Sequence, residues 1–126
     1  MALDIKVDKK KNFVYTVRLT GSIDGETYQE LDDTLKELMD EKTKAVMLDM
    51  GGVNYVSSIG IRVIVSVQKA LKEKSATFAM INLQPQIKKV FDVLKILPMF
   101  DIFDDMPEAD KYIDQIIKEE IEKQNA

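Results

Sequence analysis

The sequence predicts an α/β fold built around a mixed β-sheet. Short apolar or β-branched runs alternate with amphipathic helical segments, two strand-like runs stand back to back at the start, and Gly, Pro, Asn and Asp punctuate the joins. At 126 residues, 45% hydrophobic and 32% charged, the chain has the size of one domain, 1–126, and enough apolar material for a core without disulfide staples.

Leu3 to Val7 alternates weakly, and Phe13 to Leu19 (FVYTVRL) is rich in the aromatic and β-branched residues that suit a pleated surface. The two are expected to form a hairpin, with Lys9, Lys10, Lys11 and Asn12 as its solvated turn. Gly21, Asp24 and Gly25 break the pattern. From Tyr28 to about Asp40, Leu31, Leu35, Leu38 and Met39 recur at helical spacing. Ala45 to Met50 (AVMLDM) is a continuous apolar run with one acid, as expected of a central strand buried on both faces, and Gly51-Gly52 reads as its end.

A second helix is expected from Ile59 to about Lys74, with Ile61, Ile64, Val65, Gln68 and Leu71 inward and Lys69, Lys72 and Lys74 in solvent. Its β-branched residues are poor helix formers, so packing must stabilise it. Ala76 to Ile81 reads as another buried strand. Pro85 is suited to a helix's first turn, and Ile87, Val90, Phe91, Leu94 and Leu97 mark that helix's expected buried face. Pro98 stops it, Ile102 and Phe103 suit a last short strand, and Pro107 to Glu122 reads as a terminal helix. The apolar side of that helix is Tyr112, Ile113, Ile116, Ile117 and Ile121, and its polar tail from about residue 119 is expected to fray.

Composition narrows function. With no cysteine and no histidine, disulfides, thiolate metal sites and the usual neutral-pH proton shuttle are excluded, and no cofactor is called for. The start, MALDIKVDKK, carries no apolar signal core, and no later run approaches the roughly 18–20 apolar residues that span a bilayer. The expectation is a soluble, cytoplasmic chain with no membrane role. A net charge of -4 and a single basic cluster argue against nucleic acid as the main partner. There is no glycine-rich phosphate loop, and the serines of SSIG have neither a nucleophile elbow nor a histidine base, so no catalytic residue is assigned. The acidic groups Asp32/Asp33 and Asp101/Asp104/Asp105 lack calcium-loop spacing, and no metal site is assigned.

The serine pair in NYVSSIGIRVIV, Asn54 to Val65, is left. Either hydroxyl can cap the helix that follows, a role worth about 0.5–2 kcal/mol. A serine exposed at a helix start is also a good phosphoacceptor, because a phosphate brings about -1.5 to -2 charges to the positive end of the helix dipole. Both readings stand on the residues alone.

Four segments resemble the STAS domain family, and within it the small bacterial anti-sigma factor antagonists. They are LTGSIDGETYQEL, Leu19 to Leu31; VMLDMGGVNYVSSIGIRVIV, Val46 to Val65; FAMINLQPQIKKVFDVLKILPMFDIF, Phe78 to Phe103; and the acidic terminal helix. LKEKSATFAM, Leu71 to Met80, departs from the glycine-rich turn of many relatives, at the end of the helix far from the serines. The resemblance implies a mixed sheet of four to five strands covered by about four helices. It implies a non-enzymatic binding module that, unphosphorylated, sequesters an anti-sigma factor and so releases a sigma factor. It further implies that the partner is a serine kinase of the GHKL type, that a PP2C-like phosphatase reverses the modification, and that the chain is a monomer or weak dimer. The family's phosphoacceptor falls on Ser58, with Ser57, where relatives often carry aspartate, as second candidate. Partner contacts fall on Asp24, Ser57, Ser58, Ile59, Gly60, Ile61 and Arg62. Asp24 reads equally as a helix-start cap and Gly60 equally as a packing glycine. Arg62, one turn after Ser58, is within reach of a phosphate there or of a partner carboxylate, and reads also as a plain surface arginine. Of Ile59 and Ile61, one is expected in the core and the other exposed. Alternatives are a constitutive STAS scaffold whose serines only cap, and a small-ligand or nucleotide-binding STAS domain.

Overall fold

The first two strands, β1 (Leu3–Lys9) and β2 (Val14–Ile23), form the expected antiparallel hairpin in a computed structural model that describes residues 2–125. Its turn needs left-handed backbone at Asn12 (φ 61°) and Phe13 (φ 60°), so Phe13 lies in the turn rather than in the strand. Asn tolerates that region readily; Phe is held there with the Lys9 ammonium 5.4 Å from its ring centroid.

From β2 the chain runs through α1 (Tyr28–Leu38), β3 (Ala45–Val56), α2 (Ser58–Glu73), β4 (Thr77–Ile81), α3 (Pro85–Val93), β5 (Asp101–Phe103) and α4 (Met106–Gln124). The sheet order is β1-β2-β3-β4-β5, antiparallel at the first pair and parallel at the other three. Successive parallel strands added in one direction through crossovers of one hand place the connecting helices on one face. Leu31 and Leu35 of α1, Ile64, Val67 and Leu71 of α2, and Ile87 and Phe91 of α3 accordingly pack on Val17, Leu19, Val46, Leu48 and Met80. The next residues along each strand point the other way, so Val14, Ala45, Met47, Ala79 and Ile81 form a second, smaller cluster under Ala109 and Ile113 of α4. The apolar run of β3 serves both layers. Helix α4 continues through Gln124, with Ile121 exposed.

Two expectations are corrected. Gly51-Gly52 does not end the central strand: β3 runs on to Val56, with register shifts against β2 between Arg18 and Thr20 and between Gly21 and Ser22. The glycine at 52 answers to β2, since a Cβ there would lie 2.8 Å from the Leu19 carbonyl oxygen and 3.0 Å from Thr20 Cα. Val90 and Leu94, expected in the core, are exposed, whereas Ile87 and Phe91 are buried. Ile87 and Phe91, four residues apart, form the stripe that meets the core, while Val90 and Leu94, also four apart, fall on the adjacent stripe, which lines a groove at the start of α2. Phe91 instead meets Phe100 edge-on, with centroids 5.5 Å apart.

Gly52→Ala is expected to lower stability by about 1–3 kcal/mol, because the β2 backbone cannot give way as a flexible side chain can. Urea unfolding followed by circular dichroism measures it, and an unchanged midpoint would contradict the close approach of β3 to the β2 backbone at Gly52.

Candidate functional site

The register shifts in β3 bring its end beside the end of β2, where the Ser22 hydroxyl and the Asn54 side-chain oxygen are 2.9 Å apart. One residue beyond β3, the Ser57 N–H donates to the Ile23 carbonyl at 2.8 Å. Ser57 is extended (φ -79°, ψ 172°) and is the N-cap of α2, its hydroxyl accepting from the Gly60 N–H at 3.3 Å. Its own carbonyl accepts from Ile61 N–H at 2.9 Å, the first bond of the helix ladder.

The two serines therefore differ. Ser57 is half-buried and held by three hydrogen bonds. Ser58 is the first helical residue, exposed, and its hydroxyl has no partner among the described residues. The amides of Ser58 and Ile59 are likewise without partners among the described residues, and the first turn carries no acid, so the positive end of α2 is open beside the Ser58 hydroxyl.

Gly60 is buried, and a Cβ there would lie 2.7 Å from Ile23 Cγ2 and 3.0 Å from both the Ile23 carbonyl oxygen and Val56 Cγ1. Close helix-to-sheet packing accounts for this glycine. Ile61 is in the core, Ile59 is half-buried, and Arg62 is exposed with no ion pair among the described residues. Asp24 follows Ile23 and so lies near the start of α2, yet its carboxylate is turned onto its own chain: Oδ1 accepts from Glu26 N–H at 2.9 Å and Thr27 N–H at 3.2 Å. The Glu26 amide bond is the main cause holding its pKa below the usual carboxylate value, with burial opposing and the Thr27 bonds assisting.

Sequence reasoning missed the other wall of the site. Tyr55, Val56, Ser57, Ser58 and Ile61 face Gln86, Lys89, Val90, Val93 and Leu94 of the α3 segment across a groove of about 450 Å³. The residues from α3 follow one another at i, i+3, i+4, i+7 and i+8, the spacing of one helical stripe. Helix α3 is thus apolar on two sides, with Ile87 and Phe91 in the core and Val90, Val93 and Leu94 outward. Val93 is 69% and Tyr55 54% exposed, an apolar surface with Ser58 at its edge and Lys89 as its one charged lining residue. The available signal was a nine-residue helix with more apolar residues than one buried face can use.

Among the described residues no acidic or other ligating cluster fit for a metal ion is present, and no helix is long and apolar enough to cross a membrane. The site offers a hydroxyl, an open helix start and an apolar groove.

The STAS domain family model matches residues 4–109. The chain belongs to the STAS domain family. It is 28% identical over 93 residues to an anti-sigma-B factor antagonist of Staphylococcus epidermidis, covering 74% of this chain and 85% of that protein. The fold is that of an anti-sigma factor antagonist from Mycobacterium paratuberculosis, at TM-score 0.80 and 16% identity over 89% of this STAS chain and 94% of the other. It is also that of the Bacillus cell fate determinant SpoIIAA in its phosphorylated form, at TM-score 0.70 and 15% identity over 90% and 99%.

A depressed carboxylate pKa at Asp24 stabilises the fold above its ordinary value of 3.8, and the contribution disappears as pH falls through the lower folded-state value. The stability difference between the parent and Asp24→Ala is therefore expected to be flat near neutrality and to shrink below pH 3.8. Urea midpoints across pH 2–7 measure it, and a difference independent of pH would contradict the turn bonds as its source.

Proposed function

We propose that this STAS domain is an anti-sigma factor antagonist whose binding is switched by phosphorylation of Ser58. The observation that carries the reading is the division of labour at the start of α2: Ser57 caps the helix, while Ser58 presents an unbonded hydroxyl at the rim of an exposed apolar groove. The matched relative and one structural neighbour are named anti-sigma factor antagonists, and the other neighbour is a cell fate determinant in a phosphorylated form.

In the unmodified state the partner, an anti-sigma factor with serine kinase activity, places apolar side chains against Tyr55, Val90, Val93 and Leu94 and covers the start of α2. Sequestering it frees the sigma factor. The kinase moves the γ-phosphoryl group of ATP to Ser58 Oγ; the P–O bond to ADP breaks, the Oγ–P bond forms, and the hydroxyl proton leaves with a base on the kinase. A group bearing about -1.5 to -2 charges then occupies the interface, where burial without full pairing costs several kcal/mol. Affinity falls, and hydrolysis by a PP2C-like phosphatase restores it. Asp24, in the turn that follows Ile23 beside the start of α2, adds negative charge near a phosphate on Ser58. Ser57 is less suited to modification because its hydroxyl is committed to Gly60.

A pull-down from the native host, with and without ATP and followed by phosphosite mapping, tests the proposal. A kinase is expected to be captured without ATP and released with it, with Ser58 modified; release with Ser58 unmodified would overturn the switch. With the purified kinase, Ser58→Asp is expected to weaken binding by about 1–3 kcal/mol, less than a phosphate because it carries a single charge, while Ser58→Ala stays competent. Val93→Asp removes an exposed contact without disturbing the core, and is expected to weaken the unmodified complex tenfold or more, about 1.4 kcal/mol, by calorimetric titration.

A further inference from the structure

Lys89 is the one charged side chain lining the groove that Ser58 shares, and it comes from the opposite wall. It makes no ion pair among the described residues. The acid nearest to it along α3, Asp92, lines a different hollow with Lys88, Leu97 and Pro98 and so faces away from the groove. Other charged groups toward the start of α2 include Arg62, one turn along the same helix, and, in the β2–α1 turn, Glu26 and Asp24, the latter with its carboxylate bonded within its own turn. Arg62 does not line the groove.

We propose that Lys89 receives the phosphate of phosphorylated Ser58, forming a bridge from the first turn of α2 to α3 that spans the groove. The inference rests on the reading of Ser58 as the phosphoacceptor and adds an intramolecular consequence to it. A phosphate on Oγ extends from one wall toward a lysine whose four-carbon stem lets the ammonium follow it, and the free amides of Ser58 and Ile59 share the remaining oxygens. The bridge lays the lysine stem over the apolar surface formed by Val90 and Val93. Modification thereby does two things at once: it adds charge at the interface and covers the surface the partner uses. Arg62 contributes charge along α2 without tying α2 to α3. In the unmodified protein Lys89 is left for a partner carboxylate, which makes the lysine the element that exchanges one anion for another.

The test uses the full chain with phosphoserine incorporated during translation at position 58, so it does not depend on any kinase acting there. Phosphorus NMR follows the second ionisation of the phosphate, which lies near pH 6 when unperturbed. Lys89→Gln is expected to raise that pKa by about half a unit relative to the phosphorylated parent, and Lys89→Arg to keep it low. Methyl signals of Val90 and Val93 are expected to move on phosphorylation in the parent and to stay in place in Lys89→Gln. Arg62→Gln is the control along the same helix and is expected to leave the Val90 and Val93 response intact. An identical phosphate titration in the parent and Lys89→Gln would overturn the proposal, as would a methyl response that survives the loss of Lys89. Phosphosite mapping reports separately on Ser58 as the acceptor, so a failure of the bridge and a failure of the switch are distinguishable.

Discussion

The start of α2 depends on one close contact. The Ser57 N–H donates to the Ile23 carbonyl at the end of β2, and three residues on, Gly60 approaches the same residue so closely that no Cβ fits. These two constraints fix both position and direction: the amide bond anchors the turn, and the bare glycine lets the helix lie down against the sheet at once. Everything used for function follows. The capped first turn holds Ser58 outward, Ile61 inward, and the rim of α2 at a groove's width from α3. Because Ile23 is followed directly by Asp24, the contact also places the β2–α1 turn beside the serines without requiring the Asp24 carboxylate to touch them.

The electrostatics of the site are those of an open helix start, a free hydroxyl and a cation across a groove, with the nearby acid committed to its own turn. Such an arrangement accommodates a covalent phosphate at little cost to the fold, since the amides of Ser58 and Ile59 have no other partners among the described residues. In the proposed switch the complex bears the cost, because the same phosphate would have to be desolvated for the partner to dock. An asymmetry of this kind suits the proposed switch, in which the modified protein would stay folded while its docking surface changes charge. Modification at Ser57 would lack the asymmetry, for its hydroxyl already caps the helix.

Elements were legible where one period dominates the sequence. The continuous apolar run Ala45–Met50 and the stripe through Leu31 and Leu35 match β3 and α1, since burial on two faces or on one leaves those patterns. Gly51-Gly52 misleads because local rules read a glycine pair as a turn, whereas the requirement for Gly52 comes from Leu19 and Thr20 on a strand some thirty residues away. The face of α3 misleads for a different reason. Val90 and Leu94 stand at i+3 and i+7 from Ile87, so spacing alone admits them to the core; which of the two adjacent stripes is buried is decided by how the helix is rolled against the sheet, and here it is the one through Ile87 and Phe91. The serine pair was legible as a special place, but its two roles were not separable from spacing, because either serine can cap. Only the backbone at Ser57 and the bond from Gly60 separate them.

In the proposed switch, the interface of this STAS domain is open when Ser58 bears a hydroxyl and shut when it bears a phosphate. Calorimetric titration of the purified kinase partner with the unmodified chain, and with the chain carrying phosphoserine at 58, measures it directly. Affinity is expected to fall at least about a hundredfold on modification, near 2.7 kcal/mol. Equal affinity of the two forms would contradict it and leave the serines as helix caps alone.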